Sequence, residues 1–266
     1  TTTLLLTLAS VATASITLAA TASTATPAAT SAEPVPYIQR PDVQAFMADV
    51  VKKDGLKPEE VKRLIADAKP QQSIIDSISK PAEHTLTWAD YRRIFITEDR
   101  ITRGVTFYNT YKAQLKRAER QYGVPAEMIV AIIGVETRFG QNKGNYRVID
   151  ALSTLGFDYP PRAEFFRQQL RAYLILGNEA GIDLATATGS YAGAMGYPQF
   201  MPSSYRDFAV DFDADNKIDL INNPVDAIGS VANYFKKHGW HTGEGIVKRA
   251  TYTGQPDKVA QLDKIL

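Results

Sequence analysis

Apolar residues recur at three- and four-residue steps along most of this 266-residue chain, so the pattern predicts a mainly α protein. Val43, Phe46, Met47 and Val50 mark one amphipathic helix, and Val61, Leu64 and Ile65 after Pro58 mark a second. Ile74, Ile75 and Ile78 mark a third, which Pro81 should end. Val105, Tyr108, Tyr111, Leu115 and Ala118 predict a single long fourth helix over residues 97–120. The segment 123–133 reads as a mostly buried helix, with Pro125 suited to its first position and Gly140 to its exit. Two further helices are predicted over 148–155 and 164–177, separated by a turn at 156–161. A last one is predicted over 224–239, with Val225, Ile228, Val231, Ala232 and Phe235 on its inner side.

One position breaks this pattern. Glu136 lies seven, four and three residues after Ile129, Ile132 and Ile133 and so shares their helical face. Burying a carboxylate without a partner costs several kcal/mol, and the usual relief is a raised pKa. The last turn of a helix disfavours negative charge as well. Both effects hold the carboxyl protonated, as a general acid working near neutrality requires. A structural Glu paired with Arg138 or Arg147 is the alternative.

Residues 1–32 carry no charged side chain, and the run from Leu4 to Ala20 followed by small residues reads as a secretory signal. A Pro/Ala/Thr linker should extend it, giving a signal peptide and linker over 1–36 and hence export. Lys and Arg number 30 against 29 Asp and Glu, which leaves no global field for nucleic acid. Cysteine is absent, excluding disulfides, thiolate metal sites, cysteine nucleophiles and a lipidated Cys within these residues. No stable transmembrane anchor is expected, because the N-terminal run is too rich in Thr and Ser. Thirteen Tyr, 11 Phe and two Trp offer aromatic faces for sugar rings as well as for a core.

Two loops carry further chemistry. Residues 189–205 place Gly189, Gly193 and Gly196 among Ser190, Tyr191, Met195, Tyr197 and Gln199, a backbone suited to close approach by a flat polar ligand such as a sugar. Asp211, Asp213, Asp215 and Asp219 then occupy positions one, three, five and nine of an EF-hand-like loop, with Asn216 at the turn. Position twelve is Asn222 in place of a bidentate Glu, and Asp226 could close a longer loop over 211–226. Hard oxygen donors at this spacing suit a structural calcium ion; a solvated acidic turn is the alternative. No motif calls for an organic cofactor.

Three ordered motifs, residues 134–138, 192–205 and 226–235, resemble the soluble and membrane-bound lytic murein transglycosylases of the B type, over residues 37–240. The resemblance implies an N-terminal helical domain over 37–121 and a lysozyme-like catalytic core over 122–245 with the calcium loop inserted. Residues 246–266 would begin a longer C-terminal segment. It implies that Glu136 is the single catalytic acid/base, that Ser190, Gln199 and Tyr234 contact the glycan, and that Tyr191 and Met195 line the cleft. Asp211, Asp213, Asp215, the Lys217 carbonyl and Asp226 would hold calcium. Pro198 departs from the family pattern, where Gly is expected. The implied substrate is the glycan strand of peptidoglycan in the periplasm, cleaved between N-acetylmuramic acid and N-acetylglucosamine with a 1,6-anhydro product. Two alternatives stay open: a hydrolytic muramidase using Asp150, Asp158 or Glu164 to position water, and a non-catalytic calcium-clamped glycan binder.

Overall fold

The computed structural model of the protein describes residues 35–79 and 86–247. The signal and linker expectation, apart from residues 35 and 36, lies outside these residues, as do the stop at Pro81 and most of the C-terminal segment. Eleven α-helices make up nearly all the regular structure among the described residues. The first three are α1 (Pro41–Asp54), α2 (Pro58–Asp67) and α3 (Gln72–Ser79). Next come α4 (Trp88–Phe95), α5 (Glu98–Thr110), α6 (Lys112–Tyr122) and α7 (Ala126–Thr137). The remainder are α8 (Val148–Asp158), α9 (Ala163–Ala180), α10 (Pro202–Phe208) and α11 (Pro224–Lys237). Two short strands, β1 (Tyr146–Arg147) and β2 (Thr188–Gly189), pair antiparallel.

Local chemistry sets many of the ends. Proline opens α1, α2, α10 and α11, where a missing N–H leaves no bond unmade. Thr87, Thr97 and Asn223 accept backbone N–H groups at the starts of α4, α5 and α11. Left-handed Gly55, Gly123 and Gly181 end α1, α6 and α9.

Several expectations are corrected. The long helix over 97–120 is two helices, α5 and α6, parted at Tyr111 (φ −108°, ψ 24°). Its halves pack on different partners, α5 against α7 and α6 mainly against α11, so one straight axis cannot serve both. Val105, expected inside, is exposed, and Phe107 takes the inner position. The helix expected to stop at 155 runs on to Asp158, so the turn begins at Tyr159. Pro125 caps α7 one position ahead of its first helical residue. The separate helices α4 and α10 were not anticipated.

Hydrophobic residues gather in two clusters. In the first, Val43, Val50, Leu64, Ile65 and Ile74 of α1–α3 meet Leu152, Leu155, Phe166 and Leu170 of α8 and α9. In the second, Phe107 and Leu115 meet Ile129 and Ile133 of α7 and Ile228 and Val231 of α11. Each fully buried side chain of this kind contributes about 1.5–3 kcal/mol. The clusters cut across residue 121: α1–α3 share a core with α8 and α9, while α5 and α6 share one with α7 and α11. No helix among the described residues is long and apolar enough to cross a membrane.

Candidate active site and acidic loop

Glu136 sits in the last turn of α7, above fully buried Ile129 and Ile133 and partly buried Ile132. Its carboxyl is partly buried and has no hydrogen-bond or ion-pair partner among the described residues. Arg138 reaches Asp99 instead, at 3.9 Å, and Arg147 holds Asp67 and, at 3.4 Å, Asp150. The structural-pair alternative for Glu136 is therefore not what this fold contains. Burial alone pushes its pKa up from 4.5 to about 7.

The end of α7 is fixed from three sides. Arg138 and Phe139 are both left-handed, at φ 50° and 61°, which swings the Phe139 ring back onto the helix. Gly134 makes room for that ring, because a Cβ there would lie 2.6 Å from it. Gly140 (φ 85°) lies against Tyr197, whose ring would be 2.2 Å from an added Cβ. Buried Thr137 joins the helix to the glycine-rich loop: its hydroxyl donates to the Tyr197 carbonyl (3.0 Å) and accepts the Gly140 N–H (3.0 Å). A hydroxyl beside Glu136 was visible in the sequence, but its partner 60 residues away was not.

In that loop Gln199 is partly buried and left-handed (φ 50°), and its amide N–H group donates to the carbonyls of Gly196 (2.9 Å) and Lys143 (3.2 Å). These bonds hold the side-chain carbonyl at a defined orientation. Tyr191 is partly buried against the first cluster. Tyr234 of α11 stacks on His238 with ring centres 3.9 Å apart and packs against Phe200 and Phe208, so the structure brings it to the same loop. Two expected cleft-lining side chains are instead interior. Ser190 is 1% exposed, and its hydroxyl oxygen accepts the N–H groups of Ala192 and Ala194, pinning the turn. Met195 has no exposed surface and bridges to Phe200 through its backbone. Both are polar or polarisable groups consumed in shaping the loop.

The acidic loop folds around its own backbone. Asp211 accepts the N–H groups of Asp215 (3.1 Å) and Asn216 (2.8 Å), and positive φ at Ala214 and Asn216 makes the tight turn. Asp226, fully buried on α11, accepts the N–H groups of Phe212 and Asp219, both at 2.8 Å. Asp211, Asp213 and Asp226 each place a carboxylate oxygen within 4.8 Å of the others. Burial raises the Asp226 pKa and repulsion from Asp213 and Asp211 adds to it, against the lowering by its two N–H donors. No Lys or Arg pairs with any of the three among the described residues. An all-oxygen, mutually repelling set on a tight turn fits a hard divalent cation. Asp215 and Asp219 are not in that group: Asp215 accepts the Lys217 N–H, and Asp219 accepts the N–H groups of Ile221 and Asn222. Asn222, at the twelfth position, donates to Asp219.

The loop is clamped from outside by two basic side chains. Arg117 of α6 donates to the Phe212 carbonyl and lies 3.9 Å over its ring. Lys143 donates to the Ile221 carbonyl at 2.6 Å, a contact that nothing in the local sequence around it announced.

The transglycosylase SLT domain family matches residues 39–265. The chain is similar to the membrane-bound lytic murein transglycosylase B of Escherichia coli (strain K12), with 44% identity over 223 residues. That match covers 80% of this chain and 62% of the relative, so the chain spans about three fifths of the relative's length. Among solved structures it is similar to catenated lytic transglycosylase SltB1 from Pseudomonas aeruginosa, at 57% identity and a TM-score of 0.76, covering 79% of this chain and 69% of that one. It is also similar to the Escherichia coli lytic transglycosylase Slt35 in complex with calcium, at 46% identity and a TM-score of 0.73, covering 78% and 66%.

Proposed function

The chain belongs to the transglycosylase SLT domain family, and on that premise we propose that it cleaves peptidoglycan glycan strands between N-acetylmuramic acid and N-acetylglucosamine, leaving 1,6-anhydromuramic acid ends. The observation that carries this reading is the partnerless carboxyl of Glu136, held near pKa 7 by burial. Such a group can give up a proton and take one back within a single turnover.

The steps balance with that one carboxyl. Protonated Glu136 donates to the glycosidic oxygen as the C1–O bond breaks, and the muramyl N-acetyl group stabilises the charge developing at C1. The Glu136 carboxylate then takes the proton of the same sugar's 6-hydroxyl, whose oxygen closes onto C1. No water is consumed. Gln199, Tyr191 and Tyr234 are the surface groups of the loop region suited to hold the sugar, and Ser190 and Met195 serve through the loop's shape. Holding reacting groups in place supplies several kcal/mol of such a barrier.

Ordinary glycosidases place two carboxyls across the bond. The three carboxylates the sequence offered for that second role are committed elsewhere. Asp150 accepts the Lys69 N–H and faces Arg147, Asp158 is bound by Tyr37 and Arg40, and Glu164 is paired with Arg167. The hydrolytic alternative therefore has no support from them.

Calcium and location belong to the same proposal. Asp211, Asp213 and Asp226 would hold a calcium ion, with Asp215, Asp219 and the Lys217 carbonyl supplying the rest of the loop; when bound, the ion would neutralise their mutual repulsion. The uncharged, Leu/Ala/Thr-rich residues 1–32 and the location of the murein substrate support a periplasmic enzyme.

Mass spectrometry of soluble products from purified peptidoglycan tests the reaction. Muropeptides ending in 1,6-anhydromuramic acid are expected from the wild type and none from Glu136→Gln. Products one water heavier would replace this reading with hydrolysis.

A further inference from the structure

The acidic loop and the glycine-rich loop are tied together by the Tyr205 hydroxyl, which donates to the Ile218 carbonyl and accepts the Leu220 N–H, both at 2.9 Å, and at two further places. In one, the Tyr197 N–H donates to the Leu220 carbonyl at 2.8 Å, a backbone contact that does not depend on side-chain identity. The other is a side chain. Lys143, in the segment between α7 and β1, donates its ammonium to the Ile221 carbonyl at 2.6 Å and lies 5.0 Å from the centre of the Tyr197 ring. Its own carbonyl accepts the Gln199 side-chain amide at 3.2 Å. Lys143 makes no ion pair among the described residues. On the other side of the junction, Asp219, two residues before Ile221, donates its N–H to Asp226, one of the three clustered carboxylates. Tyr197 in turn lies against Gly140 and is bonded to Thr137, next to Glu136.

From this arrangement we propose that Lys143 is a positioning residue that transmits the geometry of the acidic loop to Tyr197 and Gln199. The inference rests on the calcium and cleft reading above. Ordering of residues 211–226 fixes the Ile221 carbonyl, the ammonium follows it, and the Lys143 backbone holds the Gln199 amide. A long cationic strut suits this task because its charge-assisted bond is stronger than a neutral one and its ammonium also lies over the tyrosine ring as a cation–π contact.

The test is amide hydrogen exchange of the peptide spanning residues 195–200, with calcium chloride and with a chelator, in the wild type, Lys143→Met and Lys143→Arg. Calorimetry on the same proteins reads calcium binding directly. Calcium is expected to slow exchange of this peptide in the wild type. Lys143→Met should bind calcium as the wild type does and yet lose about tenfold of that protection, the weight of one charge-assisted hydrogen bond; Lys143→Arg should keep most of it. Equal protection in Lys143→Met and the wild type overturns the proposal. So does wild-type exchange at 195–200 that ignores bound calcium, or a Lys143→Met protein that no longer binds the ion. Because the readout is exchange and not turnover, a wild type without anhydro product would defeat the proposed reaction and leave this coupling to stand or fall on its own data.

Discussion

Glu136→Gln should abolish cleavage and at the same time stabilise the protein, by an amount that grows as pH rises from 4.5 to about 7 and then levels off. The carboxyl is buried without a partner, and its pKa rises from 4.5 to about 7 on folding. A group whose folded pKa exceeds its unfolded value binds more protons folded than unfolded between the two. Stability therefore falls as pH rises through that window and is flat above it. At about 1.4 kcal/mol per pH unit, the displacement amounts to about 3 kcal/mol of destabilisation carried by the wild type at pH 8 and nearly absent at pH 4.5. Gln keeps the shape and never ionises. Urea unfolding of both proteins at pH 4.5, 6 and 8 should show a gain for the Gln protein that grows to about 3 kcal/mol at pH 8 and shrinks toward zero at pH 4.5. A gain independent of pH, or a Gln protein less stable at pH 8, would refute the account of an unpartnered buried carboxyl.

The same ionisation should govern turnover: cleavage is expected to fall about tenfold per pH unit above pH 7, once Glu136 has lost its proton, as a pH–rate profile would read. Removing calcium with a chelator should lower the thermal midpoint, by the equivalent of about 3 kcal/mol if the ion had been present at a hundred times its dissociation constant. Asp226→Ala should abolish that calcium-dependent shift and also cost about 2–5 kcal/mol outright in urea unfolding, since it strips the Phe212 and Asp219 N–H groups of their acceptor. Gly134→Ala should cost about 1–3 kcal/mol, because its Cβ would meet the Phe139 ring at 2.6 Å; the double variant with Phe139→Leu should recover part of that loss.

Much of this protein is written locally. The periods that mark α1, α2, α7 and α11 survive folding because a helix buries one stripe and the stripe repeats in sequence. Glu136 was legible as the residue that violates such a stripe, and the acidic loop as an alternation of carboxylates around a turn. The three motifs that resemble the transglycosylases were legible for the same reason, as short runs of fixed order.

What depended on distant residues was not. The break at Tyr111 exists because α5 and α6 find different partners, and it is packing of α5 that buries Phe107 and leaves Val105 exposed. Ser190 and Met195 turned inward because the loop's own amides and the first cluster claimed them. Asp215 and Asp219 left the expected ligand group for N–H groups of their own turn. The strut from Lys143 spans 78 positions. Sequence period determines which residues face inward on each element, since that depends on neighbours three and four positions away. Which carboxylate stays unpaired, and which side chain a loop consumes, is decided by contacts between elements, and only the tertiary structure holds those.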